Sequence, residues 1–203
     1  MPNMIHYPSV VTGLLAADHS TGSEHAALLL LEYGDYECPT CSAAEPVTQH
    51  LVETFGNRLR FVFRHFPLVE FHLHAELAAE AAEAAAAQGK FWEMHHLLFT
   101  HRQHLELSAL THYAEKLDLD MVRFSAEMAD RIYLQRVQEH RRTGEQIGLL
   151  ASPSFFLNDV MIDVSFGLER LENAVRAALG ERMSKQSSDV RFPAKLKCPL
   201  LPL

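Results

Sequence analysis

An α/β fold whose sheet is interrupted by a long all-helical block is predicted by three observations on this sequence. A short apolar run leads directly into Cys-Pro-Thr-Cys and then into helical periodicity. After a second apolar run, about seventy residues follow a helical pattern with no strand signal. Near the C-terminus a strand pattern resumes, turns once, and gives way to a last helix.

The elements follow in order. Ala26 to Tyr33 reads Ala-Ala-Leu-Leu-Leu-Leu-Glu-Tyr and stops at Gly34-Asp35, the pattern of a central strand buried on both faces. From Ser42 to Phe55, Ala43, Ala44, Val47, Leu51, Val52 and Phe55 recur at helical spacing and Gly56 ends the run, as a C-terminal glycine does. Pro39 falls in the first turn, where a missing N–H costs nothing. Arg60 to His65 reads as a second buried strand halted by Phe66-Pro67, and a strand–helix–strand unit of this length implies a parallel pair with a right-handed crossover.

Helical patches then run from His72 to Gln88, Phe91 to His101, Leu107 to Leu117, Met121 to Met128 and Arg131 to Gln146. Ala favours the first of these because it is small and helix-forming. Ser154 to Asn158 and Val160 to Ile162 flank a turn at Asn158-Asp159, and a final helix spans Leu168 to Leu179, closed by Gly180. The expected division is a sheet-bearing core at 1–70 and 148–181, an inserted helical domain at 71–147, and a flexible tail at 182–203, where Lys, Ser and Pro replace periodic apolar residues.

Length and composition suit this plan. The chain has 203 residues, 48% of them hydrophobic, enough for a substantial core. A net charge of −8 with no basic run before the tail excludes nucleic acid and anionic membranes as expected partners. The N-terminal stretch has no positively charged segment and is broken by Pro8 and Gly13, so it is read as mature domain and the protein as cytoplasmic. No apolar run approaches the roughly 18 residues of a membrane span.

Of three cysteines, Cys38 and Cys41 form a Cys-x-x-Cys and Cys198 stands alone in the tail. Three are too few for a disulfide framework, so chemistry at one pair is expected. A thiol attacks only as thiolate, and a free cysteine is mostly protonated at neutral pH. At a helix N-terminus Cys38 would meet unpaired backbone N–H groups and the positive end of the helix dipole. Cys38 is therefore the expected nucleophile and Cys41 the resolving thiol. The same spacing suits half a zinc site, but such a site needs two more ligands, and a pair lying between a buried strand and a helix favours redox chemistry.

Four blocks carry a resemblance to a known family: Glu-Tyr-Gly-Asp-Tyr-Glu-Cys-Pro-Thr-Cys (Glu32 to Cys41), Phe-Arg-His-Phe-Pro-Leu (Phe63 to Leu68), Ala-Ala-Ala-Ala-Gln-Gly-Lys-Phe-Trp-Glu-Met-His (Ala84 to His95) and Ser-Pro-Ser-Phe-Phe-Leu-Asn (Ser152 to Asn158). From about Leu28 to Leu179 the chain resembles the DsbA-like thiol–disulfide oxidoreductases, a thioredoxin-like fold with an α-helical domain inserted between the βαβ unit and the C-terminal β-hairpin and helix. The resemblance implies that Pro153 is a cis-proline beside the dithiol and that the Ser152 backbone pairs with a substrate chain. It also implies that Glu32, six residues before Cys38, is a buried acid exchanging a proton with Cys41. Pro39 and Thr40, between the cysteines, complete the expected substrate-facing set.

The sequence departs from the family where Ala151-Ser152-Pro153-Ser154 replaces Gly-Thr-Pro-Thr and where His72-Leu73-His74 replaces a common His-Pro pairing. Asp35 and Glu37 are expected to face water, and the histidines at 72, 74, 95, 96, 101 and 104 to occupy polar helix faces or caps, since none forms His-Glu-x-x-His. Trp92 with Phe91 reads as helical core. The expected activity is disulfide exchange with protein or glutathione-type thiol and disulfide substrates, in concert with a reductase or oxidase, with no metal and no cofactor. Two other readings are a glutathione-dependent kappa-type transferase or isomerase, against which the intact cysteine pair weighs, and a non-catalytic binding module of the same fold.

Overall fold

The computed structural model describes residues 18–181. The elements are β1 (His19–Gly22), β2 (Leu28–Gly34), α1 (Pro39–Phe55), β3 (Leu59–His65), α2 (Ala75–Ala86), α3 (Phe91–Thr100), α4 (Leu107–Lys116), α5 (Met121–Ala129), α6 (Leu134–Gln146), β4 (Ser154–Leu157), β5 (Val160–Ile162) and α7 (Glu169–Ala178). They build a mixed α/β structure around one five-stranded sheet of order β1-β3-β2-β4-β5.

The Leu-rich run of β2 takes the centre because all seven of its residues are buried, and only a strand covered on both faces can hold such a run. It pairs in parallel with β3 from Leu28↔Leu59 to Gly34↔His65, with α1 as the crossover. It pairs antiparallel with β4 from Leu30↔Leu157 to Tyr33↔Ser154. That second register places Ser152 and Pro153, just before β4, level with the end of β2 where the cysteine turn begins.

Alternation along β2 divides its side chains between two cores. Leu28 and Leu30 join α1, the sheet face and the helices α2 to α6 in one continuous cluster that includes Cys38, Cys41, Ala78, Ala82, Met94, Leu98 and Phe124. Leu29, Leu31 and Tyr33 pack on the other face with Val62, Phe66, Leu149 and Phe156. Each fully buried Leu here contributes roughly 1.5–3 kcal/mol. Glu32 and Gly34 share the first face by the same alternation.

Helix α2 achieves close contact with α3 because its buried side is nearly all alanine: Ala75, Ala78, Ala79, Ala81, Ala82, Ala84 and Ala85. Asn158 closes the β4–β5 hairpin at φ 52°, a left-handed conformation that Asn tolerates. Its Oδ1 accepts from Leu29 N–H at 2.9 Å, fastening the hairpin to β2.

The structure refines several expected boundaries and adds one element. Helix α1 begins at Pro39, in the first turn as expected, with Cys38 as N-cap. Helices α2 and α6 begin at Ala75 and Leu134, three residues later than their periodicity suggests, because residues 70–74 and 130–133 form turns. The edge strand β1, antiparallel to β3 from His19↔Phe63 to Gly22↔Arg60, was not anticipated. His19-Ser20-Thr21-Gly22 carries no apolar alternation, and only pairing with β3 makes it a strand. The expected tail, Cys198 within it, and the stretch before Asp18 lie outside the described residues.

Candidate active site

The site is built at the C-terminal end of β2, where the chain turns from Gly34 into α1. Cys38 donates its backbone N–H to the Asp35 carbonyl at 3.2 Å, and its own carbonyl accepts from Ser42 at 3.1 Å, opening the helix. Pro39 and Thr40, the next two residues, are exposed. Cys38 is 6% exposed at the surface end of this turn, while Cys41, one helical turn deeper, is fully buried. The two thiols are free rather than joined.

Their environments push them apart. The Cys41 thiol donates to the Cys38 sulfur, and against the cost of burial the backbone N–H groups of Cys41 and Thr40 add to this, lowering the Cys38 pKa to about 5. Burial raises Cys41 well above the ordinary thiol range, reinforced by its bond to Cys38 and the charge of Glu32. One sulfur is thus an anion at neutral pH and its neighbour a thiol, the division of labour a nucleophile and its resolving partner require.

Glu32 lies on the β2 face that α1 covers. It is 1% exposed, and its Oε1 is buried with no hydrogen-bond partner. Burial, then the charges of Glu45 and Cys38, raise its pKa well above the carboxylate norm. A carboxyl whose pKa is raised beside a dithiol is suited to exchanging a proton with Cys41. Gly34 makes room for it: a Cβ there would stand 2.9 Å from Glu32 Oε1 and 2.4 Å from Phe63 Cε2.

On the opposite side of Cys38 stands the loop before β4. The Ser152–Pro153 peptide is cis, and the Ser152 carbonyl lies 3.5 Å from Cys38 Sγ. Only the protonated thiol donates to that carbonyl, so the contact is lost when Cys38 ionises. Sequence positions separated by more than a hundred residues, Glu32, Cys38, Cys41, Ser152 and Pro153, therefore meet at one end of the sheet.

Two polar networks around the turn differ from what the sequence led us to expect. Asp35 does not face water: it is 2% exposed, and its carboxylate accepts from Glu37 N–H, Leu68 N–H and His72 Nδ1, each at 2.8 Å. Glu37 is half-buried and accepts from His74 N–H at 2.8 Å. Nor is His95 on a polar surface. At 1% exposure it joins Tyr36 Oη through Nδ1 at 3.0 Å and Glu45 Oε2 through Nε2 at 3.0 Å. A buried carboxyl is costly alone, but His95 and then His96 outweigh burial and hold the Glu45 pKa at about 2.

These residues left traces in the sequence. Asp35 opens a turn two residues before Glu37, where an Asp side chain bonds the backbone two residues on. His95 falls at i+4 from Phe91 and i−4 from Phe99, on the helix stripe that both aromatics bury.

Among the described residues, His19, His65 and Glu83 form the group whose ligand atoms lie close enough for a metal ion, all within 4.8 Å. Both imidazole Nε2 atoms meet Glu83 Oε1, at 2.8 and 2.9 Å, and Arg136 Nη1 donates to Oε2 at 2.8 Å. The guanidinium opposes a second cation at the same carboxylate. We read the cluster as a hub tying α2 and α6 to the sheet.

Comparisons with known proteins agree with this architecture. A family model described as thioredoxin matches residues 15–177. The structure of BdbD from Bacillus subtilis (oxidised) superposes with a TM-score of 0.74 at 18% identity, covering 87% of this chain and 98% of that one. Wolbachia pipientis α-DsbA1 gives 0.72 at 21% identity, over 82% and 93%. In sequence, Na(+)/H(+) antiporter NhaA 1 of Salinispora arenicola (strain CNS-205) is 44% identical over 161 residues, which are 79% of this chain and 24% of that protein. The chain thus spans about a quarter of the length of such curated relatives. No helix of the described residues is long and apolar enough to cross a membrane. With most of its length matched by the family model, the chain belongs to the thioredoxin family, and its fold is that of the BdbD and α-DsbA1 structures.

Proposed function

We propose that this chain is a thiol–disulfide oxidoreductase that exchanges disulfides with protein or small thiol substrates. The observation that carries the reading is the asymmetry of the dithiol: Cys38 falls to about 5 at a helix N-terminus while Cys41 is raised, beside a buried acid whose Oε1 has no hydrogen-bond partner. A structural or merely binding cysteine pair has no need of that difference.

In the reductive direction, the Cys38 thiolate attacks one sulfur of a substrate disulfide and releases the other as a thiolate. Cys41, giving its proton to the Glu32 carboxylate, then attacks the Cys38 sulfur of the mixed disulfide and frees the second substrate thiolate. The substrate disulfide is reduced and the Cys38–Cys41 pair oxidised. In the opposite direction a substrate thiolate attacks Cys38, Cys41 leaves, and protonated Glu32 supplies its proton. The Ser152 carbonyl beside Cys38 offers an acceptor to an extended substrate backbone. Phe71 and Leu73, each 82% exposed, and Leu150, 91% exposed, supply apolar surface on loops adjoining the site. The dithiol itself holds the electrons, so no bound cofactor is invoked.

The antiporter name belongs to proteins about four times as long, and we assign to this chain the dithiol chemistry, not cation transport. Equilibration with glutathione redox buffers gives the potential of the pair, and insulin reduction by wild type and Cys38→Ser gives its activity. A potential near roughly −270 mV marks a reductant and one near roughly −120 mV an oxidant. Failure of the cysteines to form a disulfide, or full activity in Cys38→Ser, would leave only a binding module.

A further inference from the structure

We propose that His72 is a positioning residue for Cys38: its imidazolium, anchored on the buried Asp35 carboxylate, offsets that negative charge beside the dithiol and so favours the Cys38 thiolate. This rests on Cys38 being the attacking sulfur.

Asp35 touches both cysteines through its main chain. Its carbonyl accepts from Cys38 N–H at 3.2 Å, and its N–H donates to Cys41 Sγ at 3.4 Å. Its carboxylate is walled off from water, and a thiolate forming beside an unscreened carboxylate meets like-charge repulsion. Three groups bond that carboxylate, but Leu68 N–H and Glu37 N–H are neutral, and of the three only His72 is able to bring a positive charge. The two residues between the cysteines, Pro39 and Thr40, carry no charge.

The imidazole is held in place from behind. His72 N–H and Phe71 N–H both bond the Leu68 carbonyl, at 2.9 and 2.8 Å, closing the loop after β3. The His72 side chain is 20% exposed, enough to exchange a proton with water. The charged groups that bear on it are Asp35, Cys38 and Glu37, all anionic when ionised. Burial works against protonation, yet the bond and charge of Asp35, then Cys38 and Glu37, raise the His72 pKa above its ordinary value. The coupling is reciprocal: a thiolate that favours His72 as a cation is favoured by it.

The test follows Cys38 ionisation in the full chain by thiolate absorbance and by the pH dependence of iodoacetamide alkylation. H72Q keeps a donor for Asp35 and removes the charge. Across a partly solvated site, losing one unit charge raises the Cys38 midpoint by about half a unit to one unit, leaving about three- to tenfold less thiolate below the midpoint. H72R restores a cation and is expected to return the midpoint to the wild-type value, as is the double variant D35N/H72Q, which removes both charges. H72N is a second neutral variant should H72Q fail to fold. An unmoved midpoint in the neutral variants, or an H72R that behaves like H72Q, overturns the proposal and leaves His72 a hydrogen-bonding role alone. Persistence of the whole ionisation transition in Cys38→Ser would instead sink the assignment of Cys38, a separable failure.

Discussion

Replacing Cys41 with Ala removes the group that does most to hold Cys38 ionised. The Cys41 thiol donates to the Cys38 sulfur and is the largest contributor to a pKa of about 5. At pH 7 such a thiol is about 99% thiolate. A hydrogen bond to a charged group is worth about 1.5–3 kcal/mol, and one pKa unit corresponds to about 1.4 kcal/mol. Cys41→Ala should therefore raise Cys38 by about one to two units, into the range of about 6–7. It should not return to the free value of about 8.5, because the backbone donors of the helix N-terminus remain. Thiolate absorbance against pH reads the midpoint directly, and Cys41→Ser, which keeps a donor but on a shorter bond that reaches less far toward Cys38, should fall between the two. A midpoint that stays within about 0.3 unit of wild type would refute the claim that Cys41 stabilises the thiolate. A rise all the way to about 8.5 would refute the part assigned to the helix.

Three further outcomes are expected. Glu32 has a folded pKa raised above its unfolded one, so its contribution to stability is whole below about pH 4.3 and is lost as pH climbs through the folded value; Glu32→Gln should remove that slope and stabilise the protein at pH 7 by about 1–3 kcal/mol in urea unfolding, while slowing resolution by Cys41. Gly34→Ala pushes a methyl to 2.4 Å from Phe63 Cε2 and 2.9 Å from Glu32 Oε1, and over-packing of this kind should cost about 1–3 kcal/mol in thermal unfolding. Glu83→Ala takes the shared acceptor from His19, His65 and Arg136 and should lower stability by at least about 2 kcal/mol, with no shift in the Cys38 midpoint; an unchanged melting temperature would show that the hub is not what ties α2 and α6 to the sheet.

What the sequence determined by itself is local and periodic. Four consecutive leucines in a run that stops at Gly34, a dithiol placed between that run and a helical stripe, and alanines at helical spacing each have one stable local solution, and β2, α1 and α2 adopt it. Cys38 and Cys41 are three positions apart in the chain, so their closeness and their place at a helix start needed no long-range information.

What only the tertiary structure decided is how polar groups far apart in sequence share buried space. Asp35 and Glu37 read as solvent-facing because acids in turns usually are, but Leu68 and His72, brought over by the loop after β3, bury Asp35 and satisfy it. His95 read as surface because nothing local offers a partner for its ring, and Tyr36 and Glu45 arrive from the cysteine turn and from α1. Strand β1 exists only because β3 presents an open edge to an otherwise polar segment. Periodicity reports which side of an element is apolar, whereas a buried charge is tolerated only where a partner is delivered to it, and that delivery belongs to the packing of the whole chain.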